Sequence, residues 1–165
     1  MNEIIISPNI KLRAVQPEDE AFLISVYGSS REQELAMVPW TDEQRRAFVK
    51  FQYTAQLNFY QTEFPNSEHW VIVADGEPVG RLFLDRREAQ IRILDITILT
   101  PHRGKGIGLP VIRYVMDEAA AGGKSVGINL DLFSTSQPTF ERLGFKPTEK
   151  TDSHTLYVWQ IGERQ

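Results

Sequence analysis

Between Leu94 and Ala121 the chain runs a strand into a glycine-punctuated loop and then a helix, an order that leaves few folds open. Ile91, Ile93, Ile96, Ile98 and Leu99 make an apolar, mostly β-branched run that is too short for a surface helix and is bounded by Pro101. Ile112, Val115, Met116 and Ala119 then recur on one helical face. Pro110 suits a first helical turn, where the N–H it lacks would have no partner, and Gly122-Gly123 supplies the stop. The segment Arg103-Gly104-Lys105-Gly106-Ile107-Gly108 therefore sits at a helix N-terminus. There the leading N–H groups are unsatisfied and the helix dipole is positive, so a phosphate gains hydrogen bonds and favourable charge together. Glycines let the backbone approach the oxygens, and Arg103 and Lys105 add positive charge. The expected guest is the pyrophosphate of a nucleotide-bearing cofactor; a tight turn without a ligand is the plain alternative.

Three spacings compete for this loop. An NTPase phosphate loop needs Gly-x-x-x-x-Gly-Lys followed by a hydroxyl residue, and nothing in the chain matches it. A dinucleotide fingerprint needs Gly-x-Gly-x-x-Gly; here the third glycine comes one position early, although Asp131 lies near the expected distance downstream. That fold also needs several further strand–helix units, and too little chain remains for them. The third pattern, Arg/Gln-x-x-Gly-x-Gly/Ala, is met by Arg103, Gly106 and Gly108.

Through that loop the chain resembles the GNAT superfamily of acyl-CoA-dependent N-acetyltransferases, and Phe140-Glu141-Arg142-Leu143-Gly144-Phe145 resembles the superfamily's Tyr-Glu-Arg-Leu-Gly-Phe segment. The order of elements looks similar from about Ile10 to Ile161. The resemblance implies acetyl-CoA as cosubstrate and transfer to a primary amine of a small molecule or peptide by direct attack in a ternary complex. It further implies that the loop from Arg103 through Gly104, Lys105, Gly106 and Ile107 to Gly108 holds the CoA pyrophosphate. Backbone groups of Ile96, Thr97 and Ile98 would pair with the pantetheine arm, and one of their N–H groups would polarise the thioester oxygen. Ser134 would meet the same arm through its hydroxyl. Phe140 departs from the pattern: it borders the cofactor where many members carry a tyrosine that protonates the departing thiolate, and Tyr157 or water would have to substitute. The departure keeps a second reading open, a CoA-binding regulatory or scaffolding module with little catalysis.

Asp95 is the candidate general base, because a carboxylate interrupting an apolar strand is costly to bury without a purpose. Strict alternation puts Asp95 with Ile91, Ile93 and Thr97, opposite Ile96 and Ile98. A salt bridge from Asp95 to Arg81 or Arg92 is the competing explanation.

Composition agrees with one compact enzyme domain spanning residues 1–165. A chain of 165 residues buries something like two thirds of its unfolded surface. It contains no cysteine, which excludes disulfides and thiolate chemistry, and His69, His102 and His154 lack metal-ligand spacing. The net charge of −4 argues against nucleic acid as a partner, and no stretch is long enough to span a membrane. Met1 to Pro8 has neither a basic flank nor a long apolar run, so a secretion signal is not expected and a cytoplasmic location is. A homodimer, paired through an exposed sheet edge or the final strands, is compatible with the pattern. Arg81, Arg86, Arg87 and Arg92 read as a solvated turn.

The remaining segments predict an α+β fold: a mixed, mainly antiparallel sheet of six to seven strands flanked by about four helices, with a parallel crossover at the glycine loop. Strands are expected at Ile10–Val15, Trp70–Ala74, Val79–Leu84, Ser125–Phe133 and Thr155–Ile161, with Asp75-Gly76 turning a hairpin. A short helix follows Pro17. A second starts at the capping box Thr41-Asp42-Glu43-Gln44, with Phe48, Phe51, Ala55 and Phe59 read as its core face. Trp40, Asp42, Glu43 and Tyr60 are read as capping or padding that helix. A third short helix runs Pro138–Leu143.

Overall fold

The computed structural model describes residues 3–131 and 134–162. In chain order the elements are β1 (Glu3–Ser7), β2 (Ile10–Ala14), α1 (Glu20–Ser29), α2 (Glu32–Ala36), α3 (Asp42–Glu63), β3 (Glu68–Ala74), β4 (Glu77–Arg86), β5 (Gln90–Ile98), α4 (Gly108–Ala121), β6 (Ser125–Asp131), α5 (Gln137–Arg142), β7 (Lys146–Lys150) and β8 (His154–Trp159). The eight strands form one sheet in the order β1-β2-β3-β4-β5-β6-β8-β7. Every neighbouring pair is antiparallel except β5 and β6. No helix among the described residues is long and apolar enough to cross a membrane.

Local chemistry explains most of these elements. Asp75 and Gly76 both take positive φ, 53° and 79°, as a two-residue hairpin turn between right-twisted strands requires. Thr41 accepts from the Gln44 amide at 3.1 Å while Gln44 accepts from the Thr41 amide at 2.9 Å, a reciprocal cap that starts α3. On α4 the buried residues are Val111, Ile112, Val115, Met116 and Ala119, the face its spacing predicts. Eight strands stand against the six to seven expected, and two are not among those placed from the residues: β1 is a short unalternating run and β7 is exposed throughout, so neither carries a periodic signal. The short α2 has no buried face either. Phe133, expected as the end of a strand, lies outside the described residues.

The sheet separates two unlike layers. On the α4 side, Leu12, Ile72, Leu82, Leu84, Ile91, Ile93, Val115, Met116, Phe140 and Trp159 belong to one large apolar cluster. On the other side a smaller cluster, Leu23, Tyr27, Val49 and Tyr53, holds α1 against α3. Beneath it the sheet presents polar groups. Phe51 and Phe59 are exposed, as is Ala55, and Phe48 is at the margin; the face of α3 that turns inward instead carries Val49, Tyr53, Gln56 and Tyr60. The expected core stripe is therefore the outer stripe, because the inner face must meet Arg81 and Asp95 and is partly polar for that reason.

The arginines expected to face water are engaged. Arg81 is fully buried, Arg86 bridges Glu68 and Glu118, and Arg87 pairs with Asp85 at 2.8 Å. His69 stacks on Phe83 at 4.2 Å, and its Nε2 finds no hydrogen-bond partner among the described residues. Burial, reinforced by the positive charge of Arg81, pushes its imidazole down to about 3.

The unfolded chain binds a proton at His69 below about pH 6.5, whereas the folded chain does not until about pH 3, so stability falls as pH drops through that window. The slope approaches about 1.4 kcal/mol per pH unit. In urea titrations between pH 6.5 and 4.5, His69→Phe is expected to flatten this loss; a slope equal to that of the unmodified chain would assign it to another group.

Candidate active site

The site begins with an interruption in pairing. β5 and β6 are joined only from Gln90↔Ser125 to Ile93↔Ile128, although β5 continues to Ile98 and β6 to Asp131. Past Ile93 the strands diverge, and among the described residues no strand pairs with that edge of β5. The opening is a cleft of about 560 Å3, bordered by residues 94–98 of β5, residues 128–131 of β6, the glycine loop and α5. Backbone groups of an unpaired strand edge are ready to bond an extended ligand.

A β-bulge sets what this edge displays. Phe83 pairs with Asp95 and Leu84 with Ile93, so Leu94 is an extra residue without a partner on β4. The expected grouping of Asp95 with Ile91 and Ile93 is thereby overturned, while its grouping with Thr97, opposite Ile96 and Ile98, holds. Ile91 and Ile93 share the α4-side cluster with Ile96 and Ile98, while Asp95 and Thr97 turn to the α1–α3 side. Tyr60 of α3 donates its hydroxyl to the Leu94 carbonyl at 3.0 Å and so pins the bulge. Burial, and then the nearby Asp95 charge, push that phenol up, so it stays a neutral donor. On the other edge β4 approaches closely: a Cβ on Gly80 would lie 2.2 Å from the Thr97 carbonyl oxygen.

Asp95 is held on two sides. Its Oδ2 accepts from Arg81 Nε at 2.7 Å, and both its oxygens lie 3.1 Å from the Thr97 hydroxyl. Its side chain remains 27% exposed and borders the cleft. Arg81 also reaches Gln56, and its guanidinium lies over the rings of Tyr53 and Phe83. Its Nη1 is buried with no partner among the described residues. Asp95 thus belongs to the Arg81 pair and to the cleft at once.

At the far end of the cleft lies the glycine loop. Gly104 and Gly106 both take φ of +75°, and a Cβ on either would meet no atom within 4 Å. The glycines serve the backbone turn and leave open space beside it. No side chain caps the start of α4, so the amides of its first turn face that space with the dipole's positive end. Gly104, Gly106, Ile107 and Gly108 border the cleft together with Ile96, Thr97, Ile98, Ser134 and Phe140; Lys105 lies outside its lining. Arg103 borders it too, but its Nε donates to the Ile98 carbonyl at 2.7 Å and its Nη2 to the Ser29 hydroxyl at 3.1 Å. Both acceptors are neutral, so the guanidinium keeps its positive charge at the cleft while it ties the end of β5 to the end of α1.

Phe140 is buried in edge contact with Phe145, ring centroids 5.1 Å apart. Tyr157 lies outside the cleft lining, and its hydroxyl reaches Glu141 at 3.5 Å. Asp131, whose distance from the loop suited a ribose contact, pairs instead with Arg31 at 3.2 Å. That bridge links the α1–α2 corner to the end of β6. Arg31, Gln56 and Ser29 carry no local sequence signal of this role; only the fold brings them to the site.

A mainly antiparallel sheet parted at one parallel junction, with an uncapped helix start at the parting, defines an acetyltransferase architecture. Residues 32–155 match the family model of the acetyltransferase (GNAT) domain, and the chain belongs to that family. Solved structures of the same fold include the PaiA N-acetyltransferase from Thermoplasma acidophilum in complex with coenzyme A, at 17% identity and TM-score 0.69, covering 92% of this chain and 99% of that one. The apo RimL ribosomal L7/L12 alpha-N-protein acetyltransferase is similar at 14% identity and TM-score 0.69, covering 97% and 94%. So is apo FdhC, a nucleotide-linked sugar GNAT, at 13% identity and TM-score 0.66, covering 94% and 88%.

The Arg81–Asp95 pair is asymmetric, and its variants should show it. Asp95→Ala leaves a fully buried guanidinium without its carboxylate and is expected to cost about 3–5 kcal/mol in urea unfolding. Asp95→Asn keeps an acceptor oxygen for Arg81 and is expected to cost under about 2 kcal/mol. Equal losses would mean that Arg81 does not depend on this oxygen.

Proposed function

We propose that this acetyltransferase moves the acetyl group of acetyl-CoA to a primary amine of a small molecule or peptide, by direct attack within a ternary complex. The observation that carries the reading is the unpaired edge of β5, which leads along one cleft to an uncapped helix start. The diphosphate fits the amides of residues 104–109, and the pantetheine arm, itself an amide-bearing extended chain, fits the free edge at residues 96–98. An N–H of that edge polarises the thioester oxygen. The Ser134 hydroxyl stands beside the arm, at the cleft wall.

The amine enters from the α1–α2 side, where Glu32, Asp95 and Asp131 border the cleft, the two aspartates held by Arg81 and Arg31. Asp95 accepts the proton that the ammonium must lose before its nitrogen attacks, directly or through one water, with its orientation set by Arg81 and Thr97. The new C–N bond forms as the C–S bond breaks. The thiolate leaves without help from Phe140, which has no proton to give; a thiol of pKa near 8.5 is a good enough leaving group to take its proton from water.

Phe140 is also the observation that favours the second reading, CoA binding with little transfer, so the test is turnover. Thiol release from acetyl-CoA is measured over a panel of small amines and peptide N-termini, the latter because the RimL neighbour is an alpha-N-protein acetyltransferase. At least one amine is expected to give steady release. Asp95→Asn is expected to lower that rate by about a hundredfold or more while CoA affinity is unchanged. No thiol release with any amine of the panel would favour the binding module, and full turnover in Asp95→Asn would remove Asp95 from the proton path.

A further inference from the structure

The outer face of α3 is unlike a solvated helix face. Phe51 is 67% exposed, Phe59 56% and Phe48 36%. With about 100° per residue, these three and Ala55 fall on one stripe, and an arc of roughly 140° centred on it carries no charged residue from Gln44 to Thr62. Depletion of charge around exposed aromatics marks the centre of a protein interface, not a surface evolved to face water. The rings are also supported: Phe48 leans edge-on against Trp40 at 5.1 Å, and Phe59 against Phe64 at 6.1 Å.

We propose that this stripe is the contact between two copies of the chain, with α3 packed antiparallel on its mate about a two-fold axis passing near Ala55. The sequence of the stripe is self-complementary in that arrangement. Counting outward from Ala55, Phe51 of one copy falls opposite the partner's Phe59, and the reverse holds by symmetry. Ala55, the smallest residue of the stripe, lies where the two helices approach most closely. Charges match at the ends: Arg45 and Glu63 lie on the same flank at opposite ends of α3, so Arg45 comes within a turn of the partner's Glu63. Arg45 is already fixed by the Leu35 and Val38 carbonyls and shares Nη1 with the exposed Asp42 at 3.3 Å, an arrangement that lowers the entropy cost of meeting a partner.

Size supports the same occupant. The exposed parts of the three rings amount to roughly 300 Å2, taking about 200 Å2 per ring. A helix of 22 residues is about 33 Å long, and with its uncharged flanks the stripe offers roughly 500 Å2 per copy. The pair then buries about 1,000 Å2, at the lower limit of specific interfaces, which predicts a dimer that dissociates on dilution through the micromolar range. The β7 edge is a poorer candidate. β7 is Lys-Pro-Thr-Glu-Lys with an irregular register, the kind of charged, proline-bearing edge that resists pairing. The inner face of the same helix holds the Leu94 carbonyl through Tyr60, so a dimer at α3 would brace the wall of the cleft.

Sedimentation of the full chain from about 1 to 200 µM tests the contact. Twice the monomer mass is expected at the upper end, and Phe51→Glu, an exposed change, is expected to stay monomeric with unaltered circular dichroism. The absence of native cysteine permits a second test. Across the axis Ala55→Cys brings two sulfurs within disulfide reach and should cross-link its own pair on mild oxidation, with Lys50→Cys, on the opposite flank, far slower. A chain that stays monomeric throughout, as a surface kept for a different protein would, overturns the proposal. So does a Phe51→Glu variant that dimerises as tightly as the parent, or a Lys50→Cys variant that cross-links faster than Ala55→Cys.

Discussion

One parallel ladder, four residue pairs long, decides what the rest of the molecule can do. Had β5 and β6 stayed paired to their ends, those carbonyl and amide groups of residues 94–98 that point away from β4 would be consumed by the sheet. The parting frees them, and it is held open by contacts outside the ladder: Tyr60 on the Leu94 carbonyl, Arg103 on the Ile98 carbonyl, and Arg31 on Asp131. Each anchors one lip of the cleft to α1, α2 or α3. The site is thus a gap in a sheet whose margins are tied to the helices over one face.

The two layers divide the work. Beneath α4 the packing is apolar, and the strands there are fixed by hydrophobic burial. Beneath α1 and α3 lie an arginine with one unpartnered nitrogen and an imidazole held neutral by its surroundings. Groups of this kind destabilise a fold unless something offsets them. Here Arg81 orients Asp95 at the edge of the cleft, and the apolar layer behind the sheet supplies the stability that the polar layer lacks.

What could be read from the residues is what depends on near neighbours. The glycine loop, the apolar face of α4, the Asp75-Gly76 turn and the Thr41 capping box are each specified within a few positions, and each appears as its spacing predicts. The side of the sheet that Asp95 occupies could not be read, because one bulge residue inverts every alternation after it. The Arg81–Asp95 pair was legible only as one of two choices: the residues offered Arg81 or Arg92, and the register of Arg81 with Thr97 decides for Arg81, buried and not in the solvated turn expected for it. On α3 the aromatic period was real but its direction was wrong, since periodicity finds a face without saying what that face meets. Strand β7 has no apolar pattern to find and exists because β8 pairs with it.

The central claim is that the free edge of β5 and the start of α4 receive one extended ligand together. Amide hydrogen exchange, resolved by residue with and without saturating acetyl-CoA, measures this directly. Slower exchange is predicted at Ile96–Ile98 and across residues 104–109, with little change along β1 and β2. Protection confined to other parts of the sheet, or none at either segment when the ligand is bound, would contradict the account.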